Sequence, residues 1–200
     1  MKRWVRAVTG GMVICVLLSL CGFEGTCNAI RKDVVRLHIL ANSDSEADQA
    51  LKTVVRDAVT EKTVGWLDGV TDEQEALTVI ETYLPQLQAV AQQTVYEQGF
   101  AYPVQVSLCD MYFSTREYED ITMPAGTYTA VRIEIGQAQG KNWWCVVYPP
   151  MCIRSAVKEQ TLTDVLNGRE MTVVSGDGYV VRFKIVEVVQ WLLSRVKRVA

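Results

Sequence analysis

The sequence predicts an α+β domain, a largely antiparallel sheet covered by amphipathic helices and preceded by an N-terminal secretory signal. Three observations predict it. Apolar residues alternate with a period of two in the stretches 34–41, 104–109 and 129–135, which is the mark of strands. Between the first two of these, apolar residues recur at three- and four-residue spacing, which is the mark of helices with one buried face. Ahead of them all, Lys2, Arg3 and Arg6 precede an apolar run from Met12 to Leu20, the layout of an export signal.

That apolar run is shorter than the roughly 20 residues that span a bilayer comfortably. Cys27 and Ala29 put small residues three and one before a cut ahead of Ile30, while the same flanks also fit an uncleaved anchor. A lipidated Cys21 fits less well, because bulky Leu20 precedes it. The expected division is 1–29 as signal peptide or N-terminal anchor and 30–200 as one α+β domain outside the cytoplasm.

Charge excludes one large class of function. The chain is formally −3; Lys2, Arg3 and Arg6 against Glu24 leave the first 29 residues at +2 and therefore the rest at −5. An acidic body without a Lys/Arg stripe repels phosphates, so nucleic acid is not an expected partner.

Cysteines give no metal pattern. Cys15, Cys21 and Cys27 belong to the N-terminal segment, leaving Cys109, Cys145 and Cys152 in the body. No C-x-x-C occurs, and His38 is the only histidine. Cys145 and Cys152 are spaced to pair across the Tyr148-Pro149-Pro150 bend in an oxidising compartment, and they read equally well as two small buried hydrophobes.

Taken in order, Val35, Leu37, Ile39 and Ala41 line one face of a first strand, with Arg36 and His38 on the other, which predicts a strand with one buried face. A helix follows, with Ala47, Leu51, Val54, Val55 and Val59 in its stripe, broken at Gly65 and Gly69. Ser43 with Glu46 three residues on reads as its capping box. A second helix spans about 72–98, capped by Thr71 with Gln74, interrupted or kinked by Pro85 and stopped by Gly99. Strands come next at 104–109 and 129–135. The loop GQAQGK (136–141) then leads into WWCVVY (143–148), apolar on both faces and expected to be a central strand. The short loop predicts a hairpin between these last two strands. Thr161–Leu166 reads as a short helix ended by Asn167-Gly168, and a longer helix is expected from Tyr179. Its cationic end, Arg195 to Arg198, suits a helix C-terminus or a peripheral contact with an anionic membrane surface.

The segment after the first strand invites a metal reading, because Asn42, Asp44, Glu46 and Asp48 alternate like calcium ligands. A calcium loop needs glycine at its sixth position, where Ala47 stands, and a distal glutamate. Helix capping explains the same residues at about 1 kcal/mol each. A nucleophile pair of His38 with Cys145 is equally poorly supported, because Cys145 lies between tryptophans and valines in an apolar strand. The GQAQG loop joins strand to strand with no helix N-terminus behind it, so it lacks the logic of a phosphate cradle. No catalytic residue, metal or cofactor is assigned.

Two longer strings carry a resemblance. VVRLHILANSDSEADQALKTVVRDAV (34–59) and YPVQVSLCDMYFSTREYEDITMPAGTYTAVRIEIGQAQGKNWWCVVYPPMC (102–152) resemble, in order and spacing, the stage II sporulation protein R family. Cys109 departs from the small residue, such as glycine, expected at its position. The resemblance implies a non-enzymatic signalling protein made in the forespore of an endospore-forming bacterium. It would be exported into the space between forespore and mother-cell membranes. There it would activate a membrane-embedded aspartic protease of the mother cell, which cleaves a sigma-factor precursor. Candidate partner contacts are Arg36, His38, Asn42, Asp44 and Asp48, with Trp143 and Trp144 as second choices. The rival readings are a secreted cell-envelope binding module and a cysteine or serine hydrolase.

Overall fold

The strand Val35–Leu40 (β1) is the one on which the sheet is built. The computed structural model describes residues 2–118, 121–150 and 165–175. Before β1 runs α1 (Lys2–Lys32), and after it come α2 (Glu46–Trp66), α3 (Glu73–Glu97), β2 (Val104–Phe113), β3 (Arg116–Tyr118), β4 (Ile121–Met123), β5 (Gly126–Ile135), β6 (Asn142–Tyr148) and α4 (Gly168–Ser175). The fold is α+β with a mostly antiparallel sheet, as expected. Its principal sheet has the order β2-β5-β1-β6, with β1 parallel to β5 and antiparallel to β6.

That order corrects the expected hairpin. β5 and β6 are consecutive in sequence but do not pair, because β1 lies between them. Neighbouring strands are about 4.8 Å apart, so the residues 136–141 need to span only about 10 Å to pass over the end of an intervening strand. The loop is long enough for that, and a short loop therefore did not imply a pair. β6, expected in the centre, stands last in the order among the described residues, although Cys145 to Tyr148 are buried.

β1 is buried on both faces, not one. On one side Val35, Leu37 and Ile39, with Val131, Ile133 and Ile135 of β5, meet a layer of two helices. The helices contribute Leu51, Val55 and Val59 from α2 and Ile80, Leu87, Ala91 and Val95 from α3. Each of the Val, Leu and Ile side chains among these, fully buried, stabilises by about 1.5–3 kcal/mol relative to exposure. On the other side of β1 lie Arg36 and His38, also buried. The alternating pattern identified the two faces correctly but not the cover over the polar one.

Helix starts are displaced slightly from the capping motifs. Ser45, not Ser43, caps α2 by accepting from the Asp48 backbone N–H at 3.1 Å, and Asp72, not Thr71, caps α3 by accepting from the Glu75 N–H at 2.8 Å. Pro85 lies inside a continuous α3. Gly99, with φ +80, follows its end. Asn167-Gly168 was expected to stop a helix and instead starts α4. The Asn167 side chain accepts from the backbone N–H groups of Arg169 and Glu170, which is what an N-cap does. The rest of the expected 161–166 helix, the helix from Tyr179 and the basic end at 195–198 lie outside the described residues.

The contacts divide the described chain into two units. The larger takes its residues from 32–112 and 127–166, and contains the sheet with α2 and α3. The smaller takes its residues from 1–31, 113–126 and 167–200. In the smaller unit β3 and β4 form an antiparallel ribbon on which α4 packs. Also within it, Arg31 near the end of α1 donates to the Ala125 carbonyl at 2.9 Å and pairs with Glu24. Among the described residues no helix is long and apolar enough to cross a membrane.

Two glycines near the end of α2 should respond oppositely to substitution. Gly65 is helical and exposed with open space around a new Cβ, whereas Gly69 holds φ +82 in the turn that follows. Gly65→Ala should stabilise by about 0.5 kcal/mol through helix propensity, and Gly69→Ala should destabilise by about 1 kcal/mol. Urea unfolding midpoints of the two variants check this.

Candidate partner-contact site

The residues just past β1 form neither a metal cup nor a simple helix start. Asp48, in the first turn of α2, is buried, and its side chain is the acceptor around which the segment folds. Its Oδ2 accepts from Asn42 Nδ2 at 2.8 Å and from Ser43 Oγ at 2.5 Å. Burial by itself would raise the Asp48 pKa. Side-chain hydrogen bonds with Ser43, Asn42, Tyr102 and Ser45 outweigh that effect and hold it below the ordinary carboxylate value. Tyr102, just before β2, is correspondingly pushed up, by burial first and then by Asp48. A cation at this position would meet N–H and O–H donors rather than free oxygens.

The same segment clamps the loop that crosses over β1. The loop's backbone N–H groups donate across to it: Gln137 to Asn42 Oδ1 at 2.9 Å, Gln139 to the Asn42 carbonyl at 3.2 Å, Gly140 to the Ala41 carbonyl at 2.9 Å and Lys141 to Asp44 Oδ1 at 2.6 Å. Buried Lys52 of α2 closes the clamp, its Nζ donating to the Lys141 carbonyl at 2.8 Å and to Gln49 Oε1 at 2.6 Å. Desolvation lowers the Lys52 pKa, opposed by Asp44, with Lys141 and Arg56 lowering it further. A Cβ at Gly140 would overlap the Ser43 carbonyl, and one at Gly136 would overlap the Asn42 amide, so the two loops are in contact at van der Waals range. These loop N–H groups are spent on the chain itself, which leaves them unavailable to a phosphate.

Next to the clamp, the paired tryptophans separate. Trp143 packs against the helix-facing core with the Arg56 guanidinium 4.4 Å from its ring centroid. Trp144 turns to the other face and stacks on His38, centroids 4.0 Å apart and planes 9° apart. His38 Nε2 lies 2.8 Å from Asn142 Oδ1. Burial lowers the His38 pKa, the Asn142 hydrogen bond raises it, Arg132 lowers it and Glu134 raises it, with a net fall. Arg36 donates from Nε to the Cys145 carbonyl at 3.0 Å and lies 5.0 Å from the centroid of the Tyr128 ring.

Of the candidate contacts, Arg36, His38 and Asp48 are almost fully buried, beneath the surface on which the sequence pattern placed them. Asp44 is exposed, and Asn42, Trp143 and Trp144 are half-buried. Cys145 is disulfide-bonded, which removes the thiol that a His38–Cys145 nucleophile would need. Cys152 lies outside the described residues. Sequence reading missed Ser45, Gln49, Lys52, Tyr102, Gly136, Gly140 and Lys141. Only the two glycines carried a signal, and it does not name their neighbour.

Acid should weaken this end of the molecule in two steps. His38 has a lowered folded pKa, so the unfolded chain takes up the proton first and stability falls as pH drops through about 6.5. Asp48 also has a lowered folded pKa, so its contribution is full above about pH 4 and is lost below it. Urea midpoints measured from pH 8 to 3 should show both steps. His38→Gln should remove the first and Asp48→Asn the second, the latter variant also losing about 2–3 kcal/mol at neutral pH. Gly140→Ala should cost about 2 kcal/mol by forcing the two loops apart. Faster amide exchange at Gln137, Gln139 and Lys141 would locate that damage.

Comparison with known proteins places this sequence in a family. A sequence profile described as Stage II sporulation protein R matches residues 31–158, which include β1, α2, the whole clamp and β6. A Bacillus subtilis (strain 168) protein, also named Stage II sporulation protein R, is 40% identical over 136 residues, covering 66% of this chain and 61% of that relative. The match thus spans rather less than two thirds of the relative's length. No solved structure matches. With the profile covering well over half of its length, this chain belongs to the Stage II sporulation protein R family.

Proposed function

We propose that this chain is an exported signalling protein of sporulation that activates a membrane-embedded aspartic protease of the mother cell. The protease in turn cleaves a sigma-factor precursor. The observation that carries the reading is family membership over residues 31–158, the stretch that contains the clamped loops. On this reading the chain leaves the forespore and acts in the space between the two membranes, without chemistry of its own.

A ligand shifts its receptor only by as much as it prefers the receptor's active state. The clamp suits that task, because the loops are already ordered and binding need not hold them still. Asp44 and Asn42 at the exposed rim are the proposed contacts, together with Trp143 beside Arg56 or Trp144 beside His38. Arg36, His38 and Asp48 fix their positions from beneath.

The test is reconstitution in a non-sporulating bacterial host. The chain, the protease and the sigma precursor of the same organism are co-expressed, and precursor cleavage is followed by immunoblot. Cleavage should require the chain and should disappear when residues 2–22 are deleted. Asp44→Asn keeps an acceptor for the Lys141 N–H while removing the charge, so it should leave the melting temperature within about 2 °C and lower cleavage several-fold. Precursor that stays intact with all three proteins present and this one exported would rule the reading out.

A further inference from the structure

α1 is a single uninterrupted helix from Lys2 to Lys32, yet its two ends are in different surroundings. Trp4, Val5, Val8, Ile14 and Leu18 are well exposed. Phe23, Cys27, Ile30 and Arg31 are buried, Cys27 and Ile30 completely. The change falls near Gly22, well before the Ala29–Ile30 junction that the small residues mark as a cleavage position. Burial pushes the Cys27 thiol up to about 12, with Arg31 lowering it and Glu24 raising it.

The buried end is also joined by specific contacts. Arg31 donates to the Ala125 carbonyl and pairs with Glu24, two helical turns behind it. Gly126 follows Ala125 with φ +151, and a Cβ there would occupy the space of the Arg31 side chain. A side chain at 126 would therefore have to displace the Arg31 side chain, and the positive φ there favours glycine in its own right. Cutting after Ala29 would discard Phe23, Glu24 and Cys27. It would also place a new ammonium on Ile30, at a fully buried position beside the Arg31 charge, which is costly. The backbone at 29 and 30 is helical, so both residues are part of a folded element and not of a linker ahead of it.

We infer that residues Phe23–Lys32 belong to the mature folded protein, so that any processing cut falls ahead of Phe23 and leaves the Ala29–Ile30 junction intact. Only the processing part of this inference rests on the export reading.

Two measurements test it. In the full chain held in a non-ionic detergent, Cys27→Asp should lower the melting temperature by roughly 10 °C, whereas Cys21→Asp, at an exposed position, should change it by no more than about 2 °C. A Cys27→Asp chain that does not fold counts the same way, and equal behaviour of the two variants overturns the inference. In the reconstituted host, the chain is recovered from outside the cytoplasmic membrane, as shown by its accessibility to added protease, and its N-terminus is read by mass spectrometry. An N-terminus at or before Phe23 agrees with the inference; one beyond Phe23, Ile30 above all, overturns it. A chain that never leaves the cytoplasm counts against the proposed function, and the melting-temperature pair then decides this inference.

Discussion

The position of β1 between β5 and β6 creates a demand that the rest of this end of the molecule answers. Because β1 separates two consecutive strands, the chain must carry residues 136–141 across the end of β1. Such a crossing brings backbone N–H groups over the sheet, where each needs an acceptor. The segment leaving β1 supplies them from Ala41, Asn42 and Asp44. Those acceptors are only useful if that segment is itself fixed, and Asp48 fixes it by drawing Asn42, Ser43 and Tyr102 onto one buried carboxylate. A charge there is tolerable because several donors surround it. The order of dependence runs from sheet order to crossing loop, from loop to its acceptors, and from acceptors to Asp48.

The sequence displayed the local half of this arrangement. Period-two alternation located β1, β2 and β5, and the three-and-four spacing located α2 and α3, because burial of one face imposes those periods directly. Caps were legible to within two residues. Ser43 and Ser45 are both competent to start α2, and the choice went to Ser45 because Ser43 was needed on Asp48. What alternation cannot show is which strand lies beside which, since pairing order leaves the period unchanged. Arg36 and His38 were read as a contact face for the same reason. A buried arginine is stable only with partners, and its partners at Cys145 and Tyr128 are about a hundred residues away in the chain. Asn167-Gly168 misled differently, because an asparagine that caps a helix start and one that ends a helix look alike without the turn that follows.

The two tryptophans divide this end of the molecule into two faces. Adjacent residues of a strand point to opposite faces, and Trp143 and Trp144 do so here. Trp143 lies with Arg56 on the helix side, where Lys52 feels the charges of Asp44, Lys141 and Arg56. Trp144 lies with His38 on the other side. One patch can therefore take Asp44, Lys141 and Trp143 together, running from the clamp along α2, while Trp144 belongs to a different approach. The rigid clamp keeps Asp44 and Trp143 at a fixed spacing, because Lys141, bonded to Asp44, stands two residues before Trp143. A binding state that alone matched that spacing would be selected by it, because a ligand shifts an equilibrium only by its preference for one state.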